Sequence, residues 1–188
     1  MISQNDPLDV LEDASKTAHS AFTTRRRWLQ AGSGSLLGIA GFGYYYSQQP
    51  YRPTLHFDGR YAYAGPELPP LVHAIVRYAN EIQGRPYERG GGHQVLFDHA
   101  FDCSGSISHV LYRAGLLTGP LTSEGFAKFG QKGPGRYVTL FVKPKSHVFM
   151  AVCGLRFDTS GGKDNEGPRW RATPRDARGF ETRHLVSL

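Results

Sequence analysis

The sequence is poor in cysteine: among 188 residues only Cys103 and Cys153 occur. Two cysteines cannot supply a disulfide scaffold. No CxxC pair is present, so the commonest zinc spacings are excluded too. That leaves either two small buried hydrophobes or a thiol kept for its reactivity. Long runs of like charge are also missing. No more than three basic residues stand together, and no alternation of basic and aromatic residues suggests a nucleic-acid surface, so no nucleic-acid partner is expected. The apolar stretch Ala31–Tyr46 is 16 residues long, short of the ~20 that comfortably span a bilayer. No internal repeat is apparent.

What is present suffices for a packed domain. Hydrophobic residues make up 39% of the chain, with 11 Phe and 10 Tyr. The length suits one ordinary domain with an appendage. The net charge is +6, and its distribution is uneven. Residues 1–70 hold six basic and six acidic groups, whereas residues 71–188 hold sixteen and ten. The excess therefore lies wholly in the second part, where it would attract a polyanion such as anionic lipid or an acidic cell-wall polymer.

Four segments follow from composition. Residues 1–22 read as a polar, acidic tail. In residues 23–46, Arg25-Arg26-Arg27-Trp28-Leu29 precedes an apolar stretch diluted by glycine. This resembles the twin-arginine signal for export of folded proteins. No A-x-A cleavage site follows, so an uncleaved membrane anchor through 31–46 is an alternative, as is an ordinary helix packed on the domain. Residues 47–70, with Pro50, Pro53, Pro66, Pro69 and Pro70, read as a linker or an extended arm against the domain. Residues 71–188 read as globular.

Within 71–188, Leu71, Val72, Ile75, Tyr78, Ala79 and Ile82 recur at helical spacing, and Gly84 ends the run. Gly84–Gly92 is a loop. A second helix starts near Cys103, with Ile107, Val110, Leu111 and Ala114 on one face and Gly115 as its cap. A short helix is predicted over 123–129. Strands are predicted over 137–142, 147–153, 155–159 and about 180–187. Helices first and an antiparallel sheet after give an α+β fold.

Cys103 stands at the predicted start of the second helix. Unpaired N–H groups and the helix dipole at such a position favour a thiolate, the nucleophilic form. The small Ser104 and Gly105 after it let a carbonyl approach, and backbone N–H groups there can hold an oxyanion. Cys153 lies in a strand-like apolar run and reads as core. A thiolate nucleophile needs a base that later serves as acid. Several of the eight histidines remain candidates on composition alone: His93 and His99 lie near the loop before Cys103, and His147 opens a strand. A metal set of His93, His99, Cys103 and His109 fits no common zinc spacing. Neither metal nor cofactor is expected.

Three pieces in order are Gly84-Arg-Pro-Tyr87-Glu-Arg-Gly90-Gly91, Asp102-Cys103-Ser104-Gly105, and His147-Val148 before an apolar strand. Together they resemble the NlpC-type family of papain-like cysteine peptidases, which cut bacterial cell-wall peptides. The resemblance covers about residues 71–188. It implies a papain-like α+β fold, with N-terminal helices packed on an antiparallel sheet. It implies Cys103 as nucleophile and His147 as base and then acid. Asp158, with Thr159 as fallback, takes the place of the residue that orients the imidazole, often His in the family. Tyr87 matches the tyrosine beside the oxyanion site, and Asp102 and Ser104 match positions that hold the substrate. The implied partner is peptidoglycan peptide; with the twin-arginine-like segment, the expected protein is exported to the periplasm or cell envelope, and a monomer is expected.

The chain departs from the family pattern around the cleft. Arg89 stands where Trp is frequent, Lys143-Pro144-Lys145-Ser146 replaces a Pro-Gly-Asp turn, and Phe149-Met150 replaces a Gly. These changes leave open an amidase or acyltransferase acting on a non-wall substrate, and a catalytically silent wall-binding module. Gly167-Pro168-Arg169-Trp170 is either a loop near the site or a packed surface loop anchored by its Trp.

Overall fold

The computed structural model describes residues 55–94, 97–161 and 166–186. Every described residue lies in one compact unit, Leu37–Leu188. The expected tail, the twin-arginine-like segment 23–46 and the start of the stretch 47–70 lie outside the described residues.

The described part of this unit opens with a small antiparallel hairpin, β1 (Leu55–Phe57) and β2 (Ala62–Ala64). Its tight end is closed by Asp58, whose Oδ1 accepts the N–H groups of Arg60 and Tyr61. Leu55, Ala62 and Leu68 are fully or nearly fully buried in the main core. The stretch expected as a linker or arm is therefore, from Leu55 on, a hairpin laid against the first helix.

Helix α1 spans Pro70–Glu81. Proline early in the first turn costs nothing, because its missing N–H would be unpaired there. Val72, Ile75, Val76 and Ala79 form the buried face, the i, i+3, i+4, i+7 spacing that the periodicity predicts. Near its C-terminal end, Asn80 joins three elements. Its amide exchanges two hydrogen bonds with the Ala62 backbone (2.8 and 3.2 Å), and its Oδ1 accepts the Trp170 indole N–H at 2.7 Å.

Helix α2 (Cys103–Arg113) is buried from Ser104 to Leu111 with no exposed face in that stretch. Small residues make this possible. The Ser106 hydroxyl donates back to the Cys103 carbonyl, and Ser108 Oγ both accepts from and donates to the Leu121 backbone. Gly115, at φ +75°, follows the helix as the expected terminating glycine. Helix α3 (Ser123–Phe126) is shorter than expected and buries Phe126.

The rest is a six-stranded antiparallel sheet in the order β3-β8-β4-β5-β6-β7. Its strands are β3 (Gln131–Lys132), β4 (Val138–Lys143), β5 (His147–Val152), β6 (Leu155–Asp158), β7 (Arg169–Arg171) and β8 (Glu181–His184). The predicted α+β architecture, helices ahead of an antiparallel sheet, is the one observed. Strands β3 and β7 are additions. Strand β7 comes from the Gly167–Trp170 stretch, and Trp170 is buried against Phe157 with ring centroids 5.0 Å apart.

The sheet is covered by two apolar clusters. Val138, Leu140, Val142, Val148, Met150, Val152, Leu155 and Phe157 join the main core with the helices. Phe141 and Phe149, alternating with them, stack at 4.6 Å and meet Ala177 and Phe180 in a second cluster. Alternate residues point to opposite faces of a strand, so β4 reads as a nearly unbroken apolar run because both faces are covered.

Candidate active site

Helix α2, the loop before it and the ends of β5 and β6 build the site. Asp102 caps α2: extended at φ −85°, ψ −176°, it accepts the Gly105 N–H at 2.7 Å. Its second oxygen accepts the Gly90 N–H at 3.0 Å. The loop is tied down further by backbone bonds from Phe101 N–H to the Pro86 carbonyl and from Asp102 N–H to the Gly91 carbonyl. The glycines make this approach possible. A Cβ on Gly105 would collide with the Gly91 carbonyl, and one on Gly92, at φ +79°, would lie 2.6 Å from the Phe101 ring.

Cys103, a free thiol, is the first residue of α2 and partly exposed. Its own N–H and that of Ser104 precede the capped Gly105 N–H in the first turn, where the helix end favours negative charge and can hold an oxyanion. Tyr87 lies beside the thiol. Burial raises the Tyr87 pKa, and so do the neighbouring Cys103 and Asp102, against a smaller opposing effect of Arg89.

His147 opens β5 and Asp158 closes β6. Their side chains meet, with His147 Nε2 2.8 Å from Asp158 Oδ1. The Asp158 side chain is wholly buried and that of His147 is 14% exposed. The Cys103 side chain is also close enough to raise the pKa of the imidazole. Since Nε2 is engaged with Asp158, Nδ1 is the nitrogen left for the thiol. Burial alone lowers the His147 pKa, but Asp158 and Cys103 outweigh it and push it up to about 9. For Asp158, burial disfavours the charge. The His147 contact, the Ser160 N–H (2.9 Å) and Arg175 overcome this and hold the carboxyl below its usual range.

The structure thus brings Cys103, His147, Asp158, Tyr87, Asp102 and Ser104 into one neighbourhood. It does not bring Thr159 to the imidazole: that hydroxyl is buried and makes no hydrogen bond among the described residues. Of the two residues considered for the third position, Asp158 is the one in contact.

The other histidines separate. His93 Nε2 lies 3.1 Å from Asp102 Oδ1 and 3.0 Å from Ser104 Oγ. The Asp102 bond raises its pKa against the effect of burial. In turn, burial opposes ionisation of Asp102, while His93 and the Gly105 and Gly90 N–H groups lower its pKa. His109 is buried on α2 against the Phe97 and Phe101 rings, and the His99 side chain is 78% exposed. Among the described residues no group of three or more His, Cys, Asp or Glu could hold a metal ion. No described helix is long and apolar enough to cross a membrane.

Two residues of the site escaped the sequence. Arg175 Nη1 donates to Asp158 Oδ2 at 2.9 Å and to the Ser160 hydroxyl. Arg156, on β6, lies 3.7 Å from the same carboxylate. A lone arginine in an aperiodic segment carries no local signal. For Arg156 the only hint is its alternation with the core residues Leu155 and Phe157, which sets it on the same strand face as Asp158.

No family model and no curated protein matches the chain. Among solved structures it is similar to the peptidoglycan hydrolase RipB from Mycobacterium tuberculosis. The identity is 21% and the TM-score 0.49, over 65% of this chain and 73% of that one.

Proposed function

We propose that this chain is a papain-like cysteine peptidase that hydrolyses amide bonds in peptidoglycan stem peptides. One observation carries the reading: a thiol at a helix N-terminus faces an imidazole whose far nitrogen is bonded, at 2.8 Å, to a fully buried carboxylate. Wall peptide as substrate is supported by the ordered motifs around Tyr87, Cys103 and His147, and by the basic excess of residues 71–188.

In this mechanism the proton of Cys103 resides on His147, as a thiolate–imidazolium pair stabilised by Asp158. The thiolate sulfur attacks the scissile carbonyl carbon. The oxyanion is held by N–H groups of the first turn of α2 and by the Tyr87 hydroxyl. His147 gives its proton to the leaving nitrogen, the C–N bond breaks, and a thioester to Cys103 remains. A water molecule, giving a proton to His147, attacks the thioester. The C–S bond breaks, the carboxylic acid leaves, and the thiolate–imidazolium pair is restored. Asp102 and Ser104 shape the peptide side of the cleft by fixing the loop before Cys103. The segment 23–46 directs export to the cell envelope, by cleavage or as an anchor.

Digestion of purified peptidoglycan, followed by mass spectrometry of the products, tests this directly. New peptide termini should appear with the wild type, and Cys103→Ala should release none while keeping its thermal transition. Cleavage by Cys103→Ala at the wild-type rate overturns the reading. Cleavage of a non-wall amide, with the wall left intact, overturns the substrate alone.

A further inference from the structure

We infer that Arg175 is the positioning residue of the Cys103–His147 pair, acting through Asp158 by tying down one carboxylate oxygen so that the other is turned onto the imidazole. This rests on the reading of Cys103 and His147 as a thiolate–imidazolium pair.

The geometry divides the two oxygens of Asp158 between two tasks. Oδ1 receives His147 Nε2 at 2.8 Å and the Ser160 N–H at 2.9 Å. Oδ2 receives Arg175 Nη1 at 2.9 Å. The same Nη1 donates to the Ser160 hydroxyl and lies 3.3 Å from His147 Nε2, so carboxylate, turn and imidazole are held around one guanidinium nitrogen. Arg175 is itself clamped: its guanidinium carbon lies 5.5 Å from the Phe149 ring centroid and 5.4 Å from that of Phe180. Phe149 follows His147 on β5, and Phe180 meets the His147 ring edge-on at 6.2 Å. The segment between β7 and β8 therefore carries both the cation and one wall of its aromatic slot to the back of the imidazole.

A wholly buried carboxylate needs such a partner. Without compensating charge, burial drives a carboxyl towards its neutral form, which cannot stabilise an imidazolium. Every element around Asp158 contributes to that balance. Arg156 lies 3.7 Å away on its own strand, and His147 approaches from β5. Cys103 on α2 acts on His147. Arg171 on β7 repels Arg156 and is paired with Glu166 at 2.9 Å. Of the two guanidinium groups beside the carboxylate, Arg175 is the nearer and the one within hydrogen-bond reach.

The test reads the ion pair without any wall substrate. Full-length protein is treated with iodoacetamide across the acid to neutral range, and alkylation of Cys103 is followed by peptide mapping, which separates it from Cys153. The wild-type profile gives the acid limb against which each variant is read. Arg175→Gln should move the acid limb of the profile up by about one pH unit, because a cation close to the carboxylate and the pair has been lost. Arg175→Lys keeps the charge and most of the packing, and should leave the limb with the wild type. In an Asp158→Asn background, Arg175→Gln should move it no further. Thermal transitions confirm that each variant is folded. A merely structural role would lower reactivity equally at every pH. Wild-type reactivity on the acid side with an unmoved limb in Arg175→Gln, or a moved limb in Arg175→Lys, overturns this inference alone. An ordinary thiol profile in the wild type overturns the ion pair itself, and this inference with it.

Discussion

Two histidine–aspartate pairs flank Cys103, and they are built for different work. On the loop side, His93 meets Asp102 at 3.1 Å; on the sheet side, His147 meets Asp158 at 2.8 Å. Both imidazoles have raised pKa values and both carboxyls lowered ones. The difference lies in what else each carboxylate holds. Asp102 spends its oxygens on the N–H groups of Gly90 and Gly105 and on the Ser104 hydroxyl. It is a cap that locks a glycine-rich loop onto a helix, and His93 closes it. Asp158 instead binds a guanidinium and one turn N–H, and its imidazole faces the thiol. In the proposed mechanism the same two residue types serve as scaffold on one side and as proton machinery on the other.

Asp158→Asn should break this contrast most severely. It removes the charge that supports the imidazolium, and kcat should fall by about 10²- to 10⁴-fold. The sign of the pH effect follows from His147. Asp158 contributes to raising its pKa to about 9, so the alkaline limb of kcat/KM should fall from near there towards the ordinary imidazole range, about 6.5. A pH–rate profile on a synthetic stem peptide checks both.

Asp102→Ala should have the next largest effect, and of another kind. Loss of the cap should cost about 1–2 kcal/mol in thermal or denaturant unfolding. The Gly84–Gly92 loop is released with it, so KM should rise more than kcat falls, and the alkaline limb should stay where it was. The smallest effect belongs to His93→Gln, which retains a donor towards Asp102. It should cost less than about 1 kcal/mol and leave the alkaline limb unmoved. If His93→Gln shifted that limb as far as Asp158→Asn does, the division of labour between the two pairs would be wrong.

The two sides also differ in how legible they were. The helix starting at Cys103 follows from apolar spacing and a terminating glycine, and the strands around His147 and Asp158 follow from β-rich runs bounded by turns. These are local signals, and they set His147 and Asp158 at neighbouring strand ends. The hairpin at 55–64 reads as linker because five prolines surround it and its strands are three residues each. It is held by Asn80 and by burial of Leu55 and Ala62 in the main core, contacts distant in sequence. Strand β7 is hidden for a similar reason: Trp170 between two arginines shows no strand pattern until Asn80 and Phe157 receive it. Arg175 is invisible locally, since only the fold of its segment over Phe149 brings it to Asp158. His93 remained one loop histidine among several, because its partner is decided by how closely the Gly91 carbonyl approaches Gly105.

In the proposed mechanism Cys103 carries the acyl group during turnover. Rapid acid quenching of the protein with a muropeptide, followed by intact-mass and peptide mapping, reads this directly. A mass increase equal to the acyl half of the substrate is expected on Cys103 alone, with no such adduct in Cys103→Ala. Continued turnover with Cys103 unmodified, or an adduct on Cys153 instead, would contradict it.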